Sequence, residues 1–240
     1  MPGILSAIRV EPDRRFRCAR RSTRQQSPMR TDTHAGDQDA RARLLAHLAG
    51  VLVCEAGAEP CRLVVAEAGG LVTLPMHRDL DEAGHWSFAA RQELDPAIEL
   101  SLEPPSGGGQ LPDPAEIEAD RWLAYHGSTP PKCRLVSLAV SFARYADDQG
   151  RTQVAEEVLT PNPLRSHVPA LCKLLNGDKA RLADACARLT GVRPESPIAV
   201  GVDEWGVHVK AAFDVLRLGF EERAMDEAAA REQIEEVLGG

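Results

Sequence analysis

Histidine and cysteine are the residues of this chain whose side chains could bind a metal, move a proton or attack a substrate. The seven histidines stand at positions 34, 47, 77, 85, 126, 167 and 208, and the six cysteines at 18, 54, 61, 133, 172 and 186. No two histidines are four residues apart, and neither an H-E-x-x-H nor a C-x-x-C pattern occurs. His77 and His85 flank one acidic loop, but such a pairing is more often incidental than ligating. The sequence therefore predicts no metal site.

Other patterns typical of enzymes are also missing from the sequence. It contains no G-x-S-x-G, no P-loop and no G-x-G-x-x-G. The run Gly107-Gly108-Gly109 lies in a proline-rich segment and is typical of a linker. Whether the chain is an enzyme is left open by its residues.

The elements that must position these side chains are mostly short strands. Residues 37–49 have the apolar spacing of a helix, and residues 113–125 open with Asp-Pro, which favours a second helix. Strands are predicted at residues 51–55, 62–67, 71–76, 86–90, 97–103, 134–145 and 152–159. In the long strand 134–145, the better core face carries Val136, Leu138, Val140 and Phe142. So many short strands with few helices favour an antiparallel sheet or barrel.

The C-terminal part has a different pattern, and residues 161–169 form the linker that leads to it. Apolar residues from Leu171 to Leu189 recur at helical spacing, and we interpret this stretch as one helix. A hairpin with Trp205 in its turn, a third strand and a final helix at residues 228–238 follow.

Charge is divided unevenly along the chain. Residues 1–30 hold eight arginines and two acids, which gives 8 − 2 = +6, and the remaining 20 basic and 34 acidic residues give −14, which together make the overall −8. We expect residues 1–33 to be a disordered basic tail, either dispensable or a start assigned too early, with Met29 as an alternative initiator and a transit peptide as another reading. The acidic body argues against nucleic acid as a partner. With no membrane-length apolar run and no secretory signal, we expect a cytoplasmic protein with reduced thiols.

The last third of the chain carries a family resemblance. Pro161-Asn162-Pro163-Leu164 and the segment Leu174-Leu175-Asn176-Gly177-Asp178-Lys179 resemble the C-terminal domain that follows an FMN-binding split barrel in haem-utilisation proteins and in the glutamyl-tRNA-reductase-binding protein. The family often has His-Met-Asn-x-Asp-His in that segment. Asn176 and Asp178 are in place here, whereas Leu and Lys replace the two histidines. We expect Asn176 and Asp178 to bond nearby backbone within the helical region.

The preceding residues resemble the split barrel itself. Three segments carry this likeness: residues 59–65, 95–102 and 120–126. The resemblance implies an α+β protein, with an antiparallel split β-barrel at residues 34–160 followed by a smaller α/β domain of helix–meander–helix type at residues 165–240. It also implies a homodimer, which exposed barrel edges would favour.

In such barrels the FMN phosphate is held by arginine, lysine, serine and threonine, since a phosphate requires charge-assisted donors. The candidates in this sequence are Arg62, Ser87 and Arg91, although the expected phosphate segment is replaced by an acidic one at residues 76–81. FMN is thus a possible cofactor. Haem is less favoured because no histidine follows His208, and the absence of any cofactor is equally open.

Three functions remain open. The first is a degenerate, non-catalytic split-barrel protein that binds a small ligand or a protein, near haem or tetrapyrrole metabolism. The second is an FMN-dependent oxidoreductase or haem-degrading flavoprotein. The third is a regulatory adaptor that docks onto an enzyme through Trp205 and the acidic surface, because a large ring in a tight turn is usually packed against another domain or a partner.

Overall fold

Two antiparallel sheets and five helices build the part of the chain that the structure describes. The structure is a computed structural model, and it describes residues 41–77, 85–90, 98–105, 111–146, 152–155, 160–212 and 214–239. The basic tail and Arg91 lie outside these residues.

The larger sheet curls until its two edges are nearly joined. Its strands are β1 (Ala49–Cys54), β2 (Gly57–Arg62), β3 (Val64–Val65), β4 (Leu71–His77), β5 (Trp86–Ala90), β6 (Ile98–Glu103), β7 (Cys133–Ala146) and β8 (Thr152–Ala155). Their order is β2-β1-β5-β6-β7-β4-β3, and β8 pairs with the far end of β7. Because only Leu63 separates the two edge strands β2 and β3 in sequence, the sheet must curl, and we call it the curled sheet.

Alternating side chains explain why these segments form strands with one buried face. In β6, Ile98, Leu100 and Leu102 are buried while Glu99 and Ser101 are half exposed, as the period of two requires. Two helices cover the open side of the core. They are α1, described at residues 41–46, and α2 (Glu116–His126). Leu44 and Leu45 of α1 and Trp122 of α2 are buried in the same core as the strands.

The predicted core face of β7 is correct only for its first half. Val136 and Leu138 are fully buried, but Phe142 is 41% exposed and Ala143 is buried instead. The register explains the change, since Ser101 faces Phe142 whereas its neighbour Leu102 faces Val140. One extra residue on β7 makes a β-bulge there, which moves the later side chains to the opposite face.

The C-terminal part is a three-stranded meander covered by helices. It contains α3 (Val168–Asn176), α4 (Lys179–Thr190), β9 (Ile198–Asp203), β10 (Gly206–Lys210), β11 (Val215–Gly219) and α5 (Glu227–Val237), with strand order β11-β10-β9. We call this smaller sheet the meander. It has an apolar core of its own, formed with α3, α4 and α5.

The prediction of a single helix across residues 171–189 is wrong, because the helix is interrupted at Gly177-Asp178. The Asp178 side chain accepts a hydrogen bond from Arg181 N at 3.0 Å and so caps the start of α4. Asn176 bonds backbone as expected, but its partner is distant in sequence. Its amide donates to Ala199 O at 3.0 Å and accepts from Ala199 N at 2.8 Å, which ties α3 to β9.

The α+β class is confirmed: an antiparallel curled sheet is followed by a smaller helix–meander–helix part. The boundaries at residues 160 and 165 stay a prediction. None of the described helices is both long and apolar enough to cross a membrane.

Substitution of Gly201 tests how α2 packs on the meander. A Cβ at Gly201 would lie 1.9 Å from the hydroxyl oxygen of Tyr125, whose ring is buried. We expect Gly201→Ala to lower the free energy of unfolding by about 1–3 kcal/mol through overpacking. Gly219→Ala is the matched control, because a Cβ on that strand residue would have no neighbour within 4 Å. Denaturant unfolding of both variants measures the difference, and equal stabilities would contradict the described packing.

Candidate functional site

A cavity of about 630 Å³ opens where the curled sheet, α2 and the meander meet. We call it the junction cavity. Its walls come from four places: the β1–β2 edge of the curled sheet, β4, the C-terminal end of α2 with the residues that follow, and the loop after β10. The lining residues are Ala49, Gly50, Pro60, Cys61, Arg62, Pro75, Trp122, His126, Ser128, Pro130 and Asp214. A volume of this size is in the range of small-molecule sites.

Helix α2 brings two aromatic side chains to this cavity. Trp122 and His126 are four residues apart and therefore lie on one face of the helix. Their ring centroids are 4.9 Å apart with planes tilted by 54°. Trp122 Nε1 and His126 Nδ1 are both buried, and neither has a hydrogen-bonding partner among the described residues. Buried polar atoms without partners are costly, and these two belong to residues that line the junction cavity.

His126 is held as a neutral imidazole. Burial lowers its pKa to about 4, although the Leu63 carbonyl, 3.3 Å from Nε2, acts in the opposite direction. The neutral ring carries one N–H, which we assign to Nε2 as the donor to Leu63 O. Nδ1 then has a free lone pair. The bond to Leu63 shows that the ring is folded inward against the curled sheet.

The thiol at the cavity wall is a poor nucleophile. Burial raises the pKa of Cys61, and the carboxylate of Glu59 adds to the effect. The Sγ atom lies 3.4 Å from its hydrogen-bond acceptor, Arg62 O. Since the thiolate is the reactive form, Cys61 contributes shape to the wall.

The structure describes two of the three predicted phosphate donors, and only one of the two lines the junction cavity. Arg62 lines the junction cavity. Ser87 does not, because it pairs with Val53 whereas Arg62 pairs with Ala49, four residues and about 13 Å away along β1. Arg91 lies outside the described residues. The common role of Arg62, Ser87 and Arg91 stays a prediction, and the residues that the structure places with Arg62 are His126 and Ser128.

A buried cluster of charged residues lies next to the cavity, at the β9–β10 turn. Asp203 and Arg217 form a two-pronged ion pair, with Nη1–Oδ2 at 2.8 Å and Nη2–Oδ1 at 2.7 Å. Burial alone would raise the pKa of Asp203, but the Arg217 guanidinium lowers it below its ordinary value. His208 lies between Arg217 and α2, with Nδ1 3.1 Å from the Tyr125 hydroxyl and Nε2 2.8 Å from Leu45 O.

The next residue in the turn is a second buried acid. Glu204 is 0% exposed, and its Oε1 lies 2.8 Å from Arg41 Nε of α1 and 3.5 Å from Arg223 Nη2. The Arg223 guanidinium also lies 5.1 Å from the centre of the Trp205 ring, which contributes a cation–π attraction. We call Arg41, Asp203, Glu204, His208, Arg217 and Arg223 the charge cluster.

Sequence analysis missed the charge cluster and most of the cavity wall. Asp203 and Glu204 occupy a turn, where acids are normally exposed, and their cationic partners lie up to 163 residues away. One signal was available. Val207 and Val209 flank His208 within a strand, so the ring had to face either solvent or a second layer, and the structure shows the second layer, α1 and α2.

The buried histidines predict a loss of stability in mild acid. Burial and the nearby Arg217 charge lower the pKa of His208 to about 4, from 6.5. Between these values the unfolded chain binds a proton that the folded chain does not, so the free energy of unfolding falls as the pH drops. The fall attributable to His208 is roughly 3 kcal/mol between pH 6.5 and 4. Denaturant unfolding at a series of pH values measures it.

His208→Gln should flatten this pH dependence, even though it lowers stability at neutral pH. Tyr125→Phe is the control, because it removes the hydrogen bond to Nδ1 and keeps the imidazole. A His208→Gln protein with an unchanged slope would show that His208 is not held neutral.

Comparison with known proteins reveals a shared fold. No family model and no curated protein match the sequence. The structure is similar to that of a protein of unknown function from Agrobacterium tumefaciens strain C58, with a TM-score of 0.55 and 15% identity, over 89% of this chain and 97% of that one. It also aligns with a heme binding protein from Mycobacterium smegmatis, with a TM-score of only 0.38 and 17% identity, over 85% of this chain and 98% of that one. At such identities the first likeness shows the fold alone, and the second carries no argument.

Proposed function

We propose that this chain is a non-catalytic split-barrel protein that binds a small molecule in the junction cavity. The observation that supports the proposal is the cavity itself, because its wall combines a binding-site volume with two buried ring nitrogens that lack partners among the described residues. A ligand that reaches Trp122 Nε1 and His126 Nδ1 after a small side-chain rotation would remove the cost of both.

The chemistry of the wall favours binding over turnover. The neutral His126 has a pKa of about 4 and is a weak base at neutral pH. Cys61 keeps its proton, because burial raises its pKa. The other polar groups at the wall, Arg62, Ser128 and Asp214, can orient a ligand through charge and hydrogen bonds.

FMN is the first candidate ligand. The cavity of about 630 Å³ is large enough for a flavin, and Arg62 at its wall offers a cation for the phosphate. This assignment follows the resemblance to FMN-binding split barrels, and a redox role would come with it, since the flavin supplies that chemistry.

Haem is the second candidate, and one observation favours it. Metal-binding histidines usually donate their second ring N–H to a carbonyl or carboxylate, which fixes the lone pair on the other nitrogen. His126 has this arrangement, with Nε2 directed at Leu63 O and Nδ1 without a partner among the described residues. With no histidine after His208, His126 could serve as the haem ligand. The protein would then remain a candidate for a role in haem or tetrapyrrole metabolism.

The adaptor hypothesis depends on Trp205 as the docking residue, and the packing of Trp205 does not favour that role. Trp205 is half-buried and packs against the core of the curled sheet, which agrees with the expectation that its ring contacts another part of the protein. An enzyme partner would have to use another surface.

The homodimer remains part of the proposal and is supported by Val53 and Phe142, each 41% exposed on the outer face of the curled sheet. Sedimentation equilibrium would detect it, and a monomer would remove that part.

Blocking the cavity entrance tests the proposed function. We expect the purified protein to carry, or to take up, FMN with bands near about 370 and 450 nm, or haem with one intense band near about 400 nm. Ser128→Phe places a large ring at an exposed wall position and should weaken uptake by about tenfold or more. Ala124→Phe is the matched control, because Ala124 is exposed on α2 but does not line the cavity.

Two results would contradict the proposal. One is a protein that binds neither FMN nor haem. The other is binding that Ser128→Phe and Ala124→Phe affect equally, because the ligand would then lie outside the junction cavity.

A further inference from the structure

Two cationic side chains from different parts of the fold lie near His126 of the junction cavity. Arg62, at the end of β2, forms part of the wall. Lys210 ends β10, and its Nζ lies 3.6 Å from the position that a Cβ on Gly127 would occupy. Gly127 stands between two wall residues, His126 and Ser128, so the ammonium group lies close to the segment that forms this part of the wall.

The backbone leaves room for this ammonium. Gly127 follows the last turn of α2 with φ of +91°, a conformation that other residues rarely adopt. A residue with a side chain would be strained there and would also contact Lys210 Nζ.

The positive charges of Arg62 and Lys210 also affect the pKa of His126 in the cavity wall. Burial is the main cause of the low pKa of His126, and both Arg62 and Lys210 lower that pKa further, whereas Asp214 raises it. These two cations stand out because residues 31–240 carry a net charge of −14, from 20 basic and 34 acidic side chains. Asp214 is the one acidic residue among the lining residues, and its side chain accepts a hydrogen bond from Val215 N at 2.9 Å.

We propose that the junction cavity holds its ligand by an anionic group, a phosphate or a carboxylate, bound between Arg62 and Lys210 with the Ser128 hydroxyl as a further donor. The inference rests on the proposed function and names the chemical class of its ligand. It adds a residue of the meander, Lys210, to a site that the resemblance places on the barrel alone. Because each part supplies one cation, a bound anion joins the curled sheet to the meander.

Inorganic phosphate is the probe that tests this without knowledge of the ligand. The isotope-labelled full chain is titrated with sodium phosphate, and separately with sodium acetate, at constant ionic strength. We expect saturable shifts of the Gly127 and Ser128 amide signals with at least one of the two, and the tighter anion identifies the group as phosphate or carboxylate. Arg62→Gln and Lys210→Gln should each weaken the binding by about tenfold.

Two further variants complete the test. One distinguishes an anionic ligand from a cationic one, and the other is a control. Asp214→Asn should tighten anion binding, because it removes a like charge from the wall, whereas it would weaken the binding of a cation. Lys173→Gln should change nothing, since Lys173 is exposed on α3 and absent from the cavity wall. If neither anion shifts the Gly127 and Ser128 signals saturably, or if Arg62→Gln and Lys210→Gln both bind as tightly as the original chain, the inference is overturned.

A comparison of FMN with riboflavin separates this inference from the proposed function. Equal binding of the two flavins in a cavity that Ser128→Phe blocks would retain the proposed function and overturn the anion site. Phosphate or acetate binding that Lys210→Gln weakens, in a protein that takes up neither FMN nor haem, would retain the anion site and overturn both proposed ligands.

Discussion

Two neighbouring carboxylates are buried at the β9–β10 turn, and arginines from three other described segments neutralise them. A buried carboxylate without a partner costs several kcal/mol, so each acid requires a cation at hydrogen-bonding distance. Asp203 has Arg217 of β11, two strands away, whereas Glu204 has Arg41 of α1 and Arg223 of the segment before α5. The Arg41–Glu204 pair joins positions 163 residues apart, and it fixes α1 between the two sheets.

The junction cavity is a consequence of this docking. Trp122 and Tyr125 share one helix, and the Tyr125 hydroxyl meets His208 of the meander while Trp122 packs into the curled sheet. Gly201 permits the approach, because any side chain there would collide with that hydroxyl. These contacts hold α2 against both sheets, beside the junction cavity. The binding site that we propose thus depends on contacts outside its own wall.

Sequence patterns predicted local structure well and long-range polar contacts poorly. Alternation identified β5 and β6 almost to the residue, since half-buried strands repeat every two residues. Alternation failed at the β7 bulge, where the register of a neighbouring strand decides which side chain is buried. The break before α4 needed the side chain of Asp178 to be recognised as a cap. Arg62 was identified through family resemblance, whereas Lys210 and most of the charge cluster depend on tertiary packing, and only His208, between two strand valines, left a local signal.

The most direct test of this account is hydrogen exchange of the full-length Arg41→Met variant, followed peptide by peptide. The variant leaves Glu204 buried with only the more distant Arg223, so the docking of the sheets should weaken. The account predicts faster exchange in α2 and in β9–β10 together, with the inner strands β6 and β7 protected as before. Faster exchange confined to α1, or spread evenly over the chain, would contradict the claim that the charge cluster holds the curled sheet and the meander together around the cavity.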